Sequence, residues 1–173
     1  ALAGLAVHHD TPLYDVGTIT VHHTNLEGGH DSLSSAVDAL ISKGHTVIVL
    51  GGGHETAFGS HRGLRRATGG SVGIINIDAH FDLRDGISNG SPVRRLVEGG
   101  LDPTRVVQVG IADFANSAAY ARRAADLGIT VITLDELRSR PEAEVLAQAL
   151  SVAGGAGADS GPGGIHLDID VDV

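Results

Sequence analysis

Three titratable side chains follow an apolar segment of this 173-residue chain at intervals of two residues. In GIINIDAHFDLRD, which spans residues 73–85, these side chains belong to Asp78, His80 and Asp82. Side chains two positions apart in an extended chain project to the same side, so the three groups can converge on one point. Carboxylates that close would repel each other unless a cation lay among them. The spacing therefore indicates a site for a positively charged ligand.

Two further segments carry polar residues in a similar setting. In IHLDIDVD, near the end of the sequence, Asp168, Asp170 and Asp172 share one face of a predicted strand. In VIVLGGGHE, three glycines precede His54 and allow the backbone to turn tightly beside whatever His54 reaches. Open α/β sheets bind their ligands at the carboxyl ends of parallel strands. We therefore expect the three clusters to meet at one edge of a sheet.

The chemistry that best suits these side chains is a site for two divalent metal ions. Four aspartates in one crevice stay ionised only beside cations, and two divalent ions balance their charge while His54 and His80 add neutral donors. Oxygen ligands with imidazole, in a chain without cysteine, favour Mn²⁺, Fe²⁺ or Co²⁺. Two such ions can share a water molecule and lower its pKa toward neutrality, which yields a hydroxide nucleophile for hydrolysis.

The composition argues against several other classes of protein. A net charge of −9, with scattered arginines and lysines, disfavours a nucleic-acid-binding surface. No continuous apolar segment is long enough to cross a membrane, and nothing resembles a secretion leader, so we expect a cytoplasmic protein without a membrane partner. With 42% hydrophobic residues, residues 1–173 are expected to form one domain.

Apolar segments alternate with amphipathic ones along the chain. The predicted strands are 45–52, 71–78, 104–111, 128–135 and 164–171, with a weaker candidate at 13–20. The predicted helices are 31–44, 54–66, 91–99, 116–128 and 135–154, the last interrupted or started by Pro141. Asp31 and Asn116 are predicted N-caps, and Gly44 and Gly128 are predicted C-caps. This alternation predicts an α/β fold, in which helices cover both faces of a parallel sheet.

Both ends of the sequence are abrupt. It begins without a methionine and ends at Val173, in or directly after a strand whose aspartates belong to the candidate site. A domain seldom ends at such a strand, because a further element normally covers it. We therefore expect this chain to be the central part of a longer protein, incomplete at both ends.

Three motifs, GGGHETAFG, NIDAHFDLR and IHLDIDVDV, resemble those of the ureohydrolases, the family of arginase, agmatinase and formimidoylglutamase. The resemblance covers most of the chain, from about residue 13 to residue 173. It implies an arginase-like, three-layer α/β/α fold with a central parallel sheet and two Mn²⁺ ions per chain. It also implies hydrolysis at an amidine or guanidine carbon of a small-molecule substrate, and a homo-oligomer, either a trimer or a hexamer.

The same motifs imply which side chains would hold the ions: His54, Asp78, His80, Asp82, Asp170 and Asp172. Three aspartates compete for two ligand positions in the last motif. The family pattern aligns the later two with the ligands and often has serine at the position of Asp168, which then lies beside them on the same face. Asp82 is the candidate catalytic residue, because a carboxylate near the metal-bridging hydroxide can orient it and help pass its proton to the leaving nitrogen.

Several details resemble the formimidoylglutamase branch of the family. Glu55 follows GGGH, Phe81 and Arg84 occur in DAHFDLR, and the segments SNGSPVRRL and GIADFANS look like sequences of that branch. Asn89 stands where arginase and agmatinase carry a histidine for proton transfer, which asparagine cannot perform. The implied reaction is hydrolysis of N-formimidoyl-L-glutamate to L-glutamate and formamide, in histidine degradation. Arg84, Asn89 and Asn116 are candidate substrate contacts.

Other functions stay open at this point. The protein could be another ureohydrolase that acts on agmatine, guanidinobutyrate or arginine. It could instead be a metal-binding module without catalysis, because a glutamate that the family carries in a later strand has no counterpart in this sequence. A nucleotide-binding domain is disfavoured, since the glycines at 51–53 belong neither to a G-x-G-x-x-G motif nor to a P-loop.

Overall fold

A four-stranded parallel sheet lies at the centre of the computed structural model, which describes residues 12–21, 24–155 and 163–171. The strands are β1 (Gly73–Ile77), β2 (Val106–Ile111), β3 (Thr130–Thr133) and β4 (Ile165–Ile169). They lie in the order β3-β2-β1-β4, and each pair of neighbours is parallel. Four of the predicted strands are therefore present.

Helices connect and cover these strands: α1 (Leu26–Ile41), α2 (Thr56–Thr68), α3 (Pro92–Glu98), α4 (Ala118–Leu127), α5 (Leu134–Ser139) and α6 (Glu142–Gly154). Gly128 ends α4 with a φ of 76°, as predicted. Pro141 separates α5 from α6, because proline lacks the amide hydrogen that a continuous helix needs. The C-cap of α1 is Ser42, so the prediction of Gly44 is wrong. Among the described residues, no helix has the length and apolar character required to cross a bilayer.

Helices pack on both faces of the sheet, which confirms the three-layer α/β/α architecture. On one face, Ile74 and Val106 belong to the same buried cluster as Leu96 of α3 and Ala124 of α4. On the other face, the strands pack against α6 in a second cluster: Ile75, Val107, Val109, Ile132, Val145, Ala149 and Ala153. All six residues of β2 are buried, which explains why its sequence is mostly apolar rather than alternating.

The chain changes direction across the sheet at β1. α3 connects β1 to β2, and α4 connects β2 to β3, both along the same face. α5 and α6 then return along the other face and lead to β4, on the opposite side of β1. The connections beside β1 and β4 therefore diverge, and such a divergence opens a crevice at the carboxyl ends of the two strands.

Two predicted strands are wrong. Residues 45–52 form no strand, and within the described ranges no neighbouring strand pairs with them. Ile48 and Leu50 are 72% and 77% exposed. β-Branched residues favour a strand only where a neighbouring strand takes up their backbone hydrogen bonds and another layer covers their side chains. The weaker candidate at 13–20 also forms no strand.

The two predicted N-caps are wrong as well. α1 begins before Asp31, and Asn25 caps it by accepting a hydrogen bond from the backbone N–H of Gly28 at 3.0 Å. Ser117 caps α4 by accepting a hydrogen bond from a backbone N–H of the first turn. Asn116 is thereby left for another role, described below.

Candidate metal site

Asp78 and Asp170 lie side by side at the end of the sheet. Each follows its strand, β1 or β4, and these neighbouring strands pair in a register that aligns Ile77 with Ile169. The backbone N–H of Asp170 donates to the carbonyl of Ile77 at 2.9 Å, which extends the pairing by one residue. Both aspartates therefore lie in the crevice between the two strand ends.

His54 reaches the same crevice from the segment that precedes α2. Its Nδ1 lies 2.7 Å from Oδ2 of Asp82, 3.0 Å from Oδ2 of Asp170 and 3.2 Å from Oδ2 of Asp78. Its Nε2, on the other side of the ring, lies 2.7 Å from Oδ2 of Asp168. Carboxylates from two separate segments thus meet at one imidazole that a third segment carries.

Asp78 lies between two histidines. Its Oδ2 faces His54, whereas its Oδ1 lies 3.3 Å from Nδ1 of His80 and accepts a hydrogen bond from the backbone N–H of His80 at 2.7 Å. The Asp78 side chain is fully buried, while that of His80 is 32% exposed. A carboxylate whose two oxygens face different imidazoles is suited to a site for two metal ions.

Asp82 has an unusual backbone conformation. Its φ of 53° lies in the left-handed region, which residues other than glycine adopt mainly at turns and functional sites. Its buried neighbours Phe81 and Leu83 anchor the loop on both sides. The carboxylate of Asp82 is held beside His54 in this conformation.

Two amide side chains hold the same loop. Asn116 accepts a hydrogen bond from the backbone N–H of Phe81 at 3.1 Å and donates to the carbonyls of Ala79 and Ala112 at 2.8 and 2.9 Å. Buried Gln108, on β2, donates to the carbonyl of Phe81. The amide of Asn116 thus holds the backbone of this loop through both its oxygen and its nitrogen, and its contact with a substrate stays a prediction. The sequence prediction did not include Gln108, although a polar residue within VVQVGI was the available signal.

The other two predicted substrate contacts lie at the edge of the site. Arg84 and Asn89 are exposed on the loop between β1 and α3, where the N–H of Arg84 donates to the carbonyl of Gly90 at 2.9 Å. The side chain of Asn89 lies over Gly53, where a Cβ atom would collide with it. The lack of a side chain at Gly53 thus allows Asn89 to approach the residue that precedes His54.

Charges within the site oppose the effect of burial on its ionisable groups. Burial lowers the pKa of His54, but the hydrogen bond to Asp168 and the contacts with Asp78 and Asp82 raise it to about 12. Burial raises the pKa of Asp82 to about 6, despite the neighbouring His54. Burial also acts to raise the pKa of Asp78, but His54 and the backbone N–H of His80 lower it. A single positive charge on His54 offsets only part of the negative charge of the four carboxylates around it, which leaves the site suited to further cations.

The donor set fits divalent metal ions. His54, Asp78 and Asp170 each offer a ligand atom, and these atoms all lie within 4.8 Å of one another. Oδ2 of Asp82 is buried and, although close to His54, accepts no hydrogen bond of acceptable geometry. A buried carboxylate oxygen without a donor is costly unless a cation lies nearby. Asp172, the remaining predicted ligand, lies outside the described residues.

Comparison with known protein sequences gives one consistent set of relatives. The model of the arginase family matches residues 2–173. Formimidoylglutamase from Corynebacterium efficiens is 42% identical over 171 residues, covering 98% of this chain and 52% of the relative. Formimidoylglutamase from Aeromonas hydrophila is 39% identical over 180 residues, covering 99% of this chain and 55% of the relative. The chain thus spans about half the length of the curated relatives it matches.

Solved structures of similar proteins share the fold. A variant of Trypanosoma cruzi formiminoglutamase with Mn²⁺ has a TM-score of 0.82 at 30% identity, over 94% of this chain and 53% of that protein. Formimidoylglutamase from Bacillus subtilis has a TM-score of 0.81 at 27% identity, over 92% of this chain and 50% of that protein. The parallel sheet with its two helical layers is therefore an arrangement that these proteins have in common.

Proposed function

Because this chain belongs to the arginase family, we propose that its full-length protein is a binuclear manganese hydrolase acting on a carbon–nitrogen bond of a linear amidine. The proposed substrate is N-formimidoyl-L-glutamate, which hydrolysis converts to L-glutamate and formamide. Two relatives named formimidoylglutamase, 42% and 39% identical over nearly all of this chain, support this substrate. A structural neighbour at 30% identity that contains Mn²⁺ supports the metal.

The observation that carries the proposal is the meeting of carboxylates from separate segments at one imidazole. Nδ1 of His54 lies within 3.2 Å of carboxylate oxygens from Asp78, Asp82 and Asp170. We propose that the residues holding the ions are His54, Asp78, His80, Asp82, Asp170 and Asp172. When bound, two Mn²⁺ ions act as Lewis acids that activate water for attack on an amidine carbon.

Asp82 is the proposed catalytic carboxylate. Its carboxylate is buried within the site beside His54, and a carboxylate in this position can accept a proton from an attacking water molecule. The loop that holds Asp82 is fixed through Phe81, whose backbone bonds to Asn116 and Gln108. These two amides are therefore proposed to position the carboxylate.

Arg84 and Asn89 are the proposed substrate contacts. Arg84 is exposed on the loop beside the site, and a guanidinium group can bind a carboxylate with two parallel hydrogen bonds. N-formimidoyl-L-glutamate carries two carboxylates, so a basic side chain at the edge of the site suits it. Asn89 can donate a hydrogen bond or accept one, but it cannot carry a proton, which disfavours the proton transfer through histidine that the arginase and agmatinase motifs imply.

The family relationship also supports proposals about the location, metabolic role and assembly of the protein. We propose a cytoplasmic enzyme of histidine degradation that assembles as a homo-oligomer, either a trimer or a hexamer. We propose in addition that residues 1–173 belong to a single α/β domain. Sedimentation of the full-length protein would test the oligomer, because a monomer would contradict it.

Substrate assays of the full-length protein test the function. With Mn²⁺ bound, we expect hydrolysis of N-formimidoyl-L-glutamate and far slower hydrolysis of arginine, agmatine and guanidinobutyrate. His54→Ala should lose manganese and activity together, whereas His45→Ala, at an exposed position, should keep both. Activity on arginine alone would overturn the proposed substrate. Two bound Mn²⁺ ions without hydrolysis of any of the four compounds would favour a non-catalytic metal-binding protein.

A further inference from the structure

We propose that Asp168 is a positioning residue, which holds the His54 ring so that Nδ1 faces the metal ions. The inference rests on the proposed metal site. Nε2 of His54 lies 2.7 Å from Oδ2 of Asp168. An ionised carboxylate only accepts hydrogen bonds, so Nε2 carries the hydrogen of this bond. Nδ1 is then the ring nitrogen that a metal ion can bind.

The two nitrogens of His54 face different sets of carboxylates. Nδ1 lies within 3.2 Å of oxygens from Asp78, Asp82 and Asp170, whereas Nε2 contacts Asp168. The two nitrogens of an imidazole point in different directions, so Asp168 is directed away from an ion bound at Nδ1. Asp170, two residues further along the chain, is directed toward that ion. The geometry thus distinguishes the neighbouring aspartates of the motif.

Asp168 lies on a rigid element, whereas His54 lies on a segment with more conformational freedom. Asp168 belongs to β4, where it pairs in register with buried Asn76 of β1. His54 follows the three glycines at 51–53, and glycine restricts the backbone less than any other residue. A hydrogen bond from the strand therefore restrains a ring that its own segment would restrain only weakly.

Burial strengthens this hydrogen bond. The side chains of His54 and Asp168 are only 8% and 17% exposed, so water competes little for either partner. A carboxylate that accepts a hydrogen bond from the second nitrogen of a metal-binding histidine fixes the ring and raises its basicity. Loss of such a partner weakens metal binding or activity by about 10–100-fold.

Calorimetric titration of the full-length enzyme with Mn²⁺ tests the role of Asp168. We expect Asp168→Ala to raise the Kd about 10–100-fold while two ions per chain still bind. Its activity should return when Mn²⁺ is raised in the same proportion, with the KM of the unchanged enzyme. Asp168→Ser should recover part of the affinity, because a hydroxyl can still accept a hydrogen bond from Nε2. Asp126→Ala, at an exposed position on α4, should leave the Kd unchanged.

The outcomes separate this inference from the proposed function. An unchanged Kd for Asp168→Ala would show that the bond does not position His54. Loss of one of the two ions would make Asp168 a ligand. Inactivation that excess Mn²⁺ does not reverse in either variant would indicate a purely structural role. Absence of manganese from the unchanged enzyme would instead contradict the proposed metal site itself.

Discussion

Acidification should destabilise the protein through one buried histidine of α2. The His61 side chain is 1% exposed, packs edge-on against the His166 ring and has its Nε2 3.2 Å from the carbonyl of Val72. Burial, together with the charge of His166, lowers the pKa of His61 to about 3. In the unfolded chain the same ring titrates near pH 6.5. Between these values the unfolded state binds more protons, so this stabilisation is complete above about pH 6.5 and is lost as the pH falls toward 3.

The size of the effect follows from the two pKa values. From pH 7 to pH 5, the His61 ring should lower the free energy of unfolding by about 2 kcal/mol. His61→Gln removes the titrating group but keeps a donor for Val72, so this part of the pH dependence should disappear. Urea unfolding of the metal-free, full-length protein at both pH values measures the difference. His45→Gln, at an exposed position, is the matched control. Equal losses in His61→Gln and the unchanged protein would refute the reasoning.

Further predictions concern the loop and the ions. Asn116→Ala removes three hydrogen bonds to the backbone, so it should lower the free energy of unfolding by about 2–3 kcal/mol in urea unfolding and also reduce kcat. The exposed Asp113→Ala serves as control, and equal stability of the two variants would contradict the role of Asn116. Asp82→Asn should reduce kcat about 10²–10⁴-fold in steady-state assays; near-normal turnover would exclude Asp82 as the proton acceptor. Chelation should lower the thermal midpoint, and Mn²⁺ at 100 times its Kd should restore about 3 kcal/mol of stability for each ion bound. A thermal midpoint that does not change when manganese is added would argue against a manganese site in the folded protein.

Two of the four strands that the sequence predicts correctly lie in the interior of the fold, whereas β3 and β4 are only partly buried. Helices cover both faces of β1 and β2, so the continuous apolar sequence of these strands matches their burial in the structure. The run at 45–52 has the same composition but no partner strand in the described part of the chain, and composition alone cannot reveal that. Helix starts were predicted less well, because Asn25 and Ser117 compete with other polar residues nearby as caps.

The sequence predicts which residues belong to the candidate site, but it does not predict how their side chains are arranged around His54. Spacing of two residues places Asp168 and Asp170 on one face of a strand, and it cannot tell which of them faces Nδ1 of His54. That distinction depends on how the ring enters from another segment. The role of Asn116 depends on the path of the loop after β1, a contact between residues 35 positions apart.

The most direct test of a two-ion site is a crystal of the full-length protein grown with Mn²⁺ and measured at the manganese absorption edge. The anomalous map should contain two neighbouring peaks, one beside Nδ1 of His54 and one beside His80, with Asp78 contacting both. A single peak, or peaks distant from His54 and Asp170, would contradict the account.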